Sequence, residues 1–112
     1  MSNDIAADAI YQSLRGLAQR QRVIAGNIAN INTPNYLAGR VNFENSLARA
    51  VQAGDPAATT DTATQSKDPT GIDGNNVNLD DETISMTETN LRYSTMLEAM
   101  NAKFRLLRTA MG

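Results

Sequence analysis

The sequence predicts a mainly α-helical chain, in which two long terminal helices form a coiled-coil pair joined by a small irregular, β-hairpin-like segment and a flexible linker. Three observations lead there. Apolar residues recur at alternating spacings of four and three at both ends of the chain, charges of the right sign flank the second of these stretches, and the middle is almost devoid of bulky apolar side chains.

In the N-terminal stretch the line Ile10, Leu14, Leu17, Gln21, Ile24, Ile28, Ile31 is a heptad seam. Gly16, Ala18, Ala25, Gly26 and Ala29 form a second stripe of small residues, over which another backbone can come close. Asn3 or Asp4 can cap the start, and Pro34 disfavours helix in the residue before it, so the helix is expected from about Asp4 to Ile31. The C-terminal seam is Met86, Asn90, Tyr93, Leu97, Met100, Phe104, Leu107 and Met111, widened by Ile84, Leu91, Ala99, Ala102, Leu106 and Ala110. Asp80, Asp81 and Glu82 suit the positive end of a helix dipole, and Lys103, Arg105 and Arg108 suit its negative end, which predicts one helix from about Asp80 to Met111. At 1.5 Å per residue the two helices would be roughly 42 and 48 Å long, close enough to pair along most of their length.

Residues 53–76 are rich in Ala, Thr, Asp, Gly and Pro, with Ile72 the single bulky apolar residue, and read as a flexible polar linker. Before it, 36–52 is a short mixed segment in which Val41 and Phe43 alternate like a strand and a helical turn forms around Leu47 and Val51. Val77 and Leu79 alternate with asparagines and are expected to pair with the Val41 and Phe43 strand. The organisation is therefore 1–35, N-terminal helix and Asn-rich turn; 36–52, mixed segment; 53–76, linker; 77–112, C-terminal helix. Together they make one assembly domain.

Composition excludes most chemistry. The chain has no cysteine and no histidine, which removes disulfides, thiolate nucleophiles, the usual zinc ligands and the side chain best suited to proton transfer near neutral pH. Its lysines, Lys67 and Lys103, fall in a polar linker and on a helix face, not in a desolvated pocket. Asp73-Gly74-Asn75 starts like a calcium loop but then places Asn78 where glycine is needed and Ile84 where a bidentate glutamate belongs, so it reads as a polar turn before a helix. Helix-start chemistry accounts for Asp80, Asp81 and Glu82 without a catalytic or metal role. No catalytic residue, cofactor, metal or small-molecule substrate is expected.

Charge divides along the chain: five arginines and three acids in 1–52, one lysine and eight acids in 53–90, four bases and one acid in 91–112. The basic ends are too sparse for a nucleic-acid footprint, so no nucleic acid is expected as a partner. Uninterrupted aliphatic runs such as Val23-Ile24-Ala25 are far below the roughly 18 residues of a membrane span. The N-terminus carries no basic cluster followed by an apolar run, so a cleavable signal peptide is not expected. Two helices paired only with each other leave their second stripes in water, and such exposure marks an interaction surface.

Ala29-Asn30-Ile31-Asn32-Thr33-Pro34-Asn35-Tyr36 resembles the signature of the flagellar rod, hook and filament-junction proteins, in which a helix ends in an Asn-rich Thr-Pro-x-Tyr turn. Arg40-Val41-Asn42-Phe43-Glu44, Asp73 to Asp80 and Asn90-Leu91-Arg92-Tyr93 resemble one branch, the proximal rod proteins of the bacterial flagellar basal body. Asn35 stands where this family commonly has glycine, and asparagine tolerates the left-handed backbone best among the other residues. The resemblance implies a structural subunit whose terminal helices line a torque-transmitting tube around the export channel. It implies export through the flagellar type III apparatus and a periplasmic position at the inner-membrane ring. The implied partners are further copies of the chain, the rod protein FlgC, the junction protein FliE, the inner-membrane ring and the export apparatus. The expected assembly interface is Leu14, Leu17, Ile24, Asn27, Ile28, Asn30, Ile31, Asn90, Leu91, Tyr93, Leu97, Met100, Phe104 and Leu107, with Thr33, Pro34, Asn35 and Tyr36 as the turn. For Asn27, Asn30 and Asn32 two readings stand: closure of a helix end, or bonds between subunits that fix register. The alternatives are a cytoplasmic helical adaptor or secretion chaperone, a different flagellar rod subunit, or an enzyme, which would need a pocket of convergent polar groups.

Overall fold

The computed structural model describes residues 4–112. Helix α1 spans Ile5–Ala29, strand β1 Gly39–Asn42, helix α2 Glu44–Gln52, strand β2 Thr62–Gln65 and helix α3 Leu79–Met111, with a single 3-10 turn at Pro56–Ala58. Asp4 caps α1 by accepting from the Ala7 amide at 3.1 Å, while the other expected cap, Asn3, lies outside the described residues. Asn78 caps α3 by accepting from the Asp81 amide at 3.1 Å, so that helix begins one residue before Asp80.

The helices run antiparallel. Lys103 meets Asp4 at 2.6 Å, Gln21 donates to Asn90 at 2.7 Å, and Asn27 donates to Glu82 at 2.7 Å, so residue numbers rise along one helix as they fall along the other. The α1 seam is as expected, with Leu17 and Ile24 buried and Ile10, Leu14, Gln21, Ile28 and Ile31 half-buried. The α3 seam is rotated. Its inward line is Glu82, Met86, Thr89, Tyr93, Met96, Met100 and Lys103. Met86, Tyr93 and Met100 belong to the expected seam, whereas Leu97, Phe104 and Leu107 are 44%, 54% and 46% exposed. The reason is that a carboxylate and a hydroxyl occupy inward positions, which a hydropathy pattern scores as surface.

The middle differs from expectation. The partner of β1 is β2, antiparallel with Val41 opposite Ala63, and not the Val77 and Leu79 segment. Residues 77–78 instead form the extended entry to α3, where Asn78 is engaged as its cap. β2 lies inside 53–76, the stretch expected to be a linker, and is held by backbone bonds, its side chains all being exposed. Within the same stretch Pro56, Thr59, Asn75 and Asn76 are buried.

The core is small: Leu17, Val41 and Phe43 are buried together, with Val23, Leu47, Tyr93 and Met96 packed on them. Fully burying such a side chain contributes about 1.5–3 kcal/mol, so three of them hold little against the entropy of ordering the chain. Phe43 reaches α1 because Gly16 lies beneath it; a Cβ there would come within 2.6 Å of the ring carbons. Arg20, one turn further along α1, stacks over the ring with its guanidinium 4.9 Å from the centroid. The same guanidinium grips Glu44 through two 2.7 Å bonds and donates to the Val41 carbonyl at 2.7 Å, clamping β1 and the start of α2 to α1.

Gly16→Ala is expected to destabilise the fold by about 1–3 kcal/mol through overpacking against Phe43, read as a lower urea midpoint of the helical circular dichroism signal. Ala25→Ser, on the exposed face of α1, should stay within about 0.5 kcal/mol.

The bidentate Arg20 contact holds the Glu44 carboxyl below its usual range, against some opposing desolvation, and the Lys103 hydrogen bond does the same for half-buried Asp4. A carboxyl whose folded pKa is depressed contributes stability that is present above the unfolded value, about 4.3 for Glu, and lost as pH falls through the folded one. Stability should therefore fall in that acid window, and Glu44→Gln should make its pH dependence shallower when the urea midpoint is followed by pH.

Candidate assembly surface

Four segments meet at Asn27, whose side chain is fully buried near the end of α1. Its Nδ2 donates to the Gly39 carbonyl at 3.0 Å and to Glu82 Oε1 at 2.7 Å. Its Oδ1 accepts from the Gly39 amide at 2.8 Å and from the Tyr36 hydroxyl at 3.4 Å. Every donor and both lone pairs are thereby engaged within the chain, and nothing is left for a neighbouring subunit. Of the two readings left open for Asn27, these bonds favour a role within the chain. Glu82, 1% exposed, receives Arg40 on its other oxygen at 3.1 Å, so a charge that would be costly to bury alone is both paired and hydrogen-bonded. It is not simply a dipole residue like its exposed neighbours Asp80 and Asp81.

The turn after α1 is built by other amides. Asn30 Nδ2 donates to the Gly26 carbonyl at 2.8 Å and its Oδ1 accepts from the Thr33 hydroxyl at 3.0 Å, which closes the helix end. Pro34 and Asn35 follow on the exposed surface, and Asn35 adopts φ 62°, the left-handed backbone expected of it. Its amide donates to the Asp73 carbonyl at 2.9 Å. Gly74, at φ 80°, packs against Asn35 so closely that a Cβ would collide with its Oδ1.

Two residues of the Asp73 to Asp80 stretch that the sequence did not mark as site residues complete the junction. Asn75 Nδ2 donates to the carbonyls of Asn30 and Thr33, each at 2.9 Å. Asn76 Oδ1 accepts from the Ala38 amide at 2.7 Å, and its Nδ2 donates to Ser66 and Asp68 carbonyls at 3.2 Å. The available signal was an Asn-Asn pair directly after a glycine turn, where carboxamides substitute for missing backbone partners.

Outside this junction the structure leaves a large apolar surface on α3. Ile84 and Leu91 share one side of the helix and Leu97, Phe104 and Met111 another, because the six-residue step between Leu91 and Leu97 turns the helix by about 120°, and all five are 44–86% exposed. Leu106 and Leu107 broaden it near the end of the helix. Of the expected interface, Leu91, Leu97, Phe104 and Leu107 thus lie outward. Leu14, Leu17, Ile24, Ile28, Ile31, Tyr93 and Met100 face the interior to varying degrees, and Asn90 is an exposed partner of Gln21. An open groove of about 270 Å³ beside Leu17, Phe43 and Met96 is mainly apolar and presents no converging catalytic set. No helix among the described residues is long and apolar enough to cross a membrane.

An extended antiparallel helix pair, tied at one end by buried amides and carrying large exposed apolar side chains along α3, has the form of a helical assembly subunit. The family described as flagella basal body rod protein matches residues 14–36, the second half of α1 and the turn. The flagellar basal body rod protein FlgB of Bacillus subtilis is 32% identical, with 82% of this chain and 81% of the relative aligned. That of Escherichia coli is 31% identical over 91% of this chain and 89% of its own length. That of Cereibacter sphaeroides is 33% identical over 81% of each. The chain belongs to the FlgB family of flagellar basal body rod proteins. Membership carries a structural role in the flagellar basal body rod, in assembly with other rod components.

Asn35→Gly should leave the urea midpoint nearly unchanged, since glycine reaches positive φ without strain, whereas Asn35→Val should lower stability by about 1–3 kcal/mol. Equal midpoints for the two would contradict the backbone geometry given to the turn.

Proposed function

We propose that the chain is a subunit of the proximal rod that self-assembles through its terminal helices into a helical tube, transmitting torque and surrounding the export channel. The observation that carries this reading is the set of large apolar side chains that α3 leaves exposed on more than one side of the helix. Monomers seldom expose so many on one element, and helices of this length gain most of their stability from packing. Leu91, Leu97, Phe104 and Leu107 make the direct contacts with neighbouring subunits. Leu14, Leu17, Ile24, Ile28, Ile31, Tyr93 and Met100 hold the helix pair that presents them, and Asn27, Asn30 and the Thr33-Pro34-Asn35-Tyr36 turn set its register. The neighbours are copies of the chain, the rod protein FlgC, the junction protein FliE with the inner-membrane ring, and the type III export apparatus beneath. The chain reaches that periplasmic position through this apparatus, and its role is structural, not catalytic.

Leu97→Asp and Phe104→Asp change side chains that are about half exposed, so the monomer fold tolerates them while a dry interface does not. Both should abolish rod growth and motility, whereas Ala57→Ser on the exposed 3-10 turn should not. Normal swimming by both aspartate variants, with the chain present in purified basal bodies, would refute the assignment of this face.

A further inference from the structure

The two-stranded sheet has one covered edge and one open edge. On β1, Gly39 gives its amide and carbonyl to Asn27, at 2.8 and 3.0 Å, and the Val41 carbonyl accepts from Arg20 at 2.7 Å. Side chains of α1 thus stand where a further strand would lie. The ladder to β2 uses the alternate residues. The Ser66 amide donates to the Ala38 carbonyl at 2.8 Å, and the same type of pairing recurs where Arg40 faces Thr64 and Asn42 faces Thr62. Backbone groups of successive residues in an antiparallel pair point to opposite sides. The amides and carbonyls of Ala63 and Gln65 therefore point away from β1, and they have no partner among the described residues.

That edge is poorly guarded. The side chains of β2 are all exposed, and the strand packs chiefly on β1. Thr62-Ala63-Thr64-Gln65 contains no charge and no proline, and its register with β1 has no bulge, so most of the devices that keep an edge from pairing with another chain are missing. Shortness is its one protection, which makes pairing there weak and dependent on concentration.

We propose that β2 pairs antiparallel with β2 of a second copy, joining two hairpins into one four-stranded sheet. The open edge is self-complementary. With Thr64 on the two-fold axis, Ala63 of each copy faces Gln65 of the other, and every outward amide and carbonyl of both strands is engaged without recruiting residues beyond the strand. Asp61 and Lys67, the charged residues nearest the edge, fall opposite one another in this register, so no like charges meet. Asp61 already faces Arg15 at 3.5 Å and adds no new bond. A two-fold contact closes on two copies, whereas a tube grows by heterologous contacts. The pair is thus a form of the chain in solution, independent of its rod contacts, and it opens before the chain is built in.

The chain has no cysteine, so one introduced thiol in the purified full chain reports on the two-fold alone. Thr64→Cys would face its own counterpart across about 4.5 Å between Cα atoms, within the reach of a disulfide. Mild oxidation should convert this variant to a linked dimer, while Thr62→Cys, displaced from the axis on both strands, should stay unlinked. In the unsubstituted chain, amide exchange at Ala63 and Gln65 should slow about tenfold from dilute to concentrated samples, while Arg40 and Asn42, bonded within the hairpin, keep their rates. Ala63→Pro removes an outward donor and spares the ladder to β1, so it should abolish this concentration dependence at Gln65 with the helical circular dichroism unchanged. Linking of Thr64→Cys no greater than that of Thr62→Cys, or exchange at Ala63 and Gln65 that ignores concentration, would overturn the pairing even if the chain associates through α3. Neither result bears on the rod assignment, which the aspartate variants test separately.

Discussion

The burial of the Asn27 carboxamide is the constraint on which the remaining geometry depends. A carboxamide with no access to water must have all its polar atoms engaged, and its four partners come from the turn, from β1 and from α3. Gly39 presents both its amide and its carbonyl to this one side chain, as a paired strand would. The strand is thereby set on α1 at a single register. Glu82 in turn requires Asn27 and Arg40 near it, which decides how α3 is rotated about its own axis.

From that rotation follows the distribution of apolar surface. With Glu82 inward, Thr89 and Met96 follow it at helical spacing, and the large side chains of Leu97 and Phe104 are carried to the outside. A purely apolar seam would have drawn them in and produced a better-packed monomer with less to offer a neighbour. The polar junction costs the chain some stability and leaves these side chains exposed. In physical terms the chain has a small core under Phe43, an amide-built corner at one end, and a helix with more apolar sides than α1 covers.

The small middle segment serves the same end. Phe43 lies on Gly16, under Arg20, and ties β1 and α2 to the centre of α1. Asn75 and Asn76 return the chain from β2 to the start of α3 through bonds to the carbonyls of Asn30, Thr33, Ser66 and Asp68. A stretch of Thr, Asp and Gly without apolar patterning is ordered in this way by backbone pairing and carboxamides, the interactions a hydropathy profile does not register.

The sequence by itself determined what local interactions decide. Heptad spacing and the Asp4 cap specify α1, the acidic start and basic end specify α3, and Thr33-Pro34-Asn35-Tyr36 specifies a turn with a left-handed asparagine. Each depends on residues within a few positions of one another, and each is legible there. Only the tertiary structure decided which line of α3 is buried, that β1 pairs with Thr62–Gln65, and that Asn27 joins the turn, β1 and α3 within the chain. Those outcomes rest on a buried carboxylate meeting an amide 55 residues away, on backbone bonds between strands with no apolar signature, and on a glycine that admits an aromatic ring. Partners so distant in sequence leave no periodic trace, because the energy lies in hydrogen bonds that exist only once the chain has closed on itself.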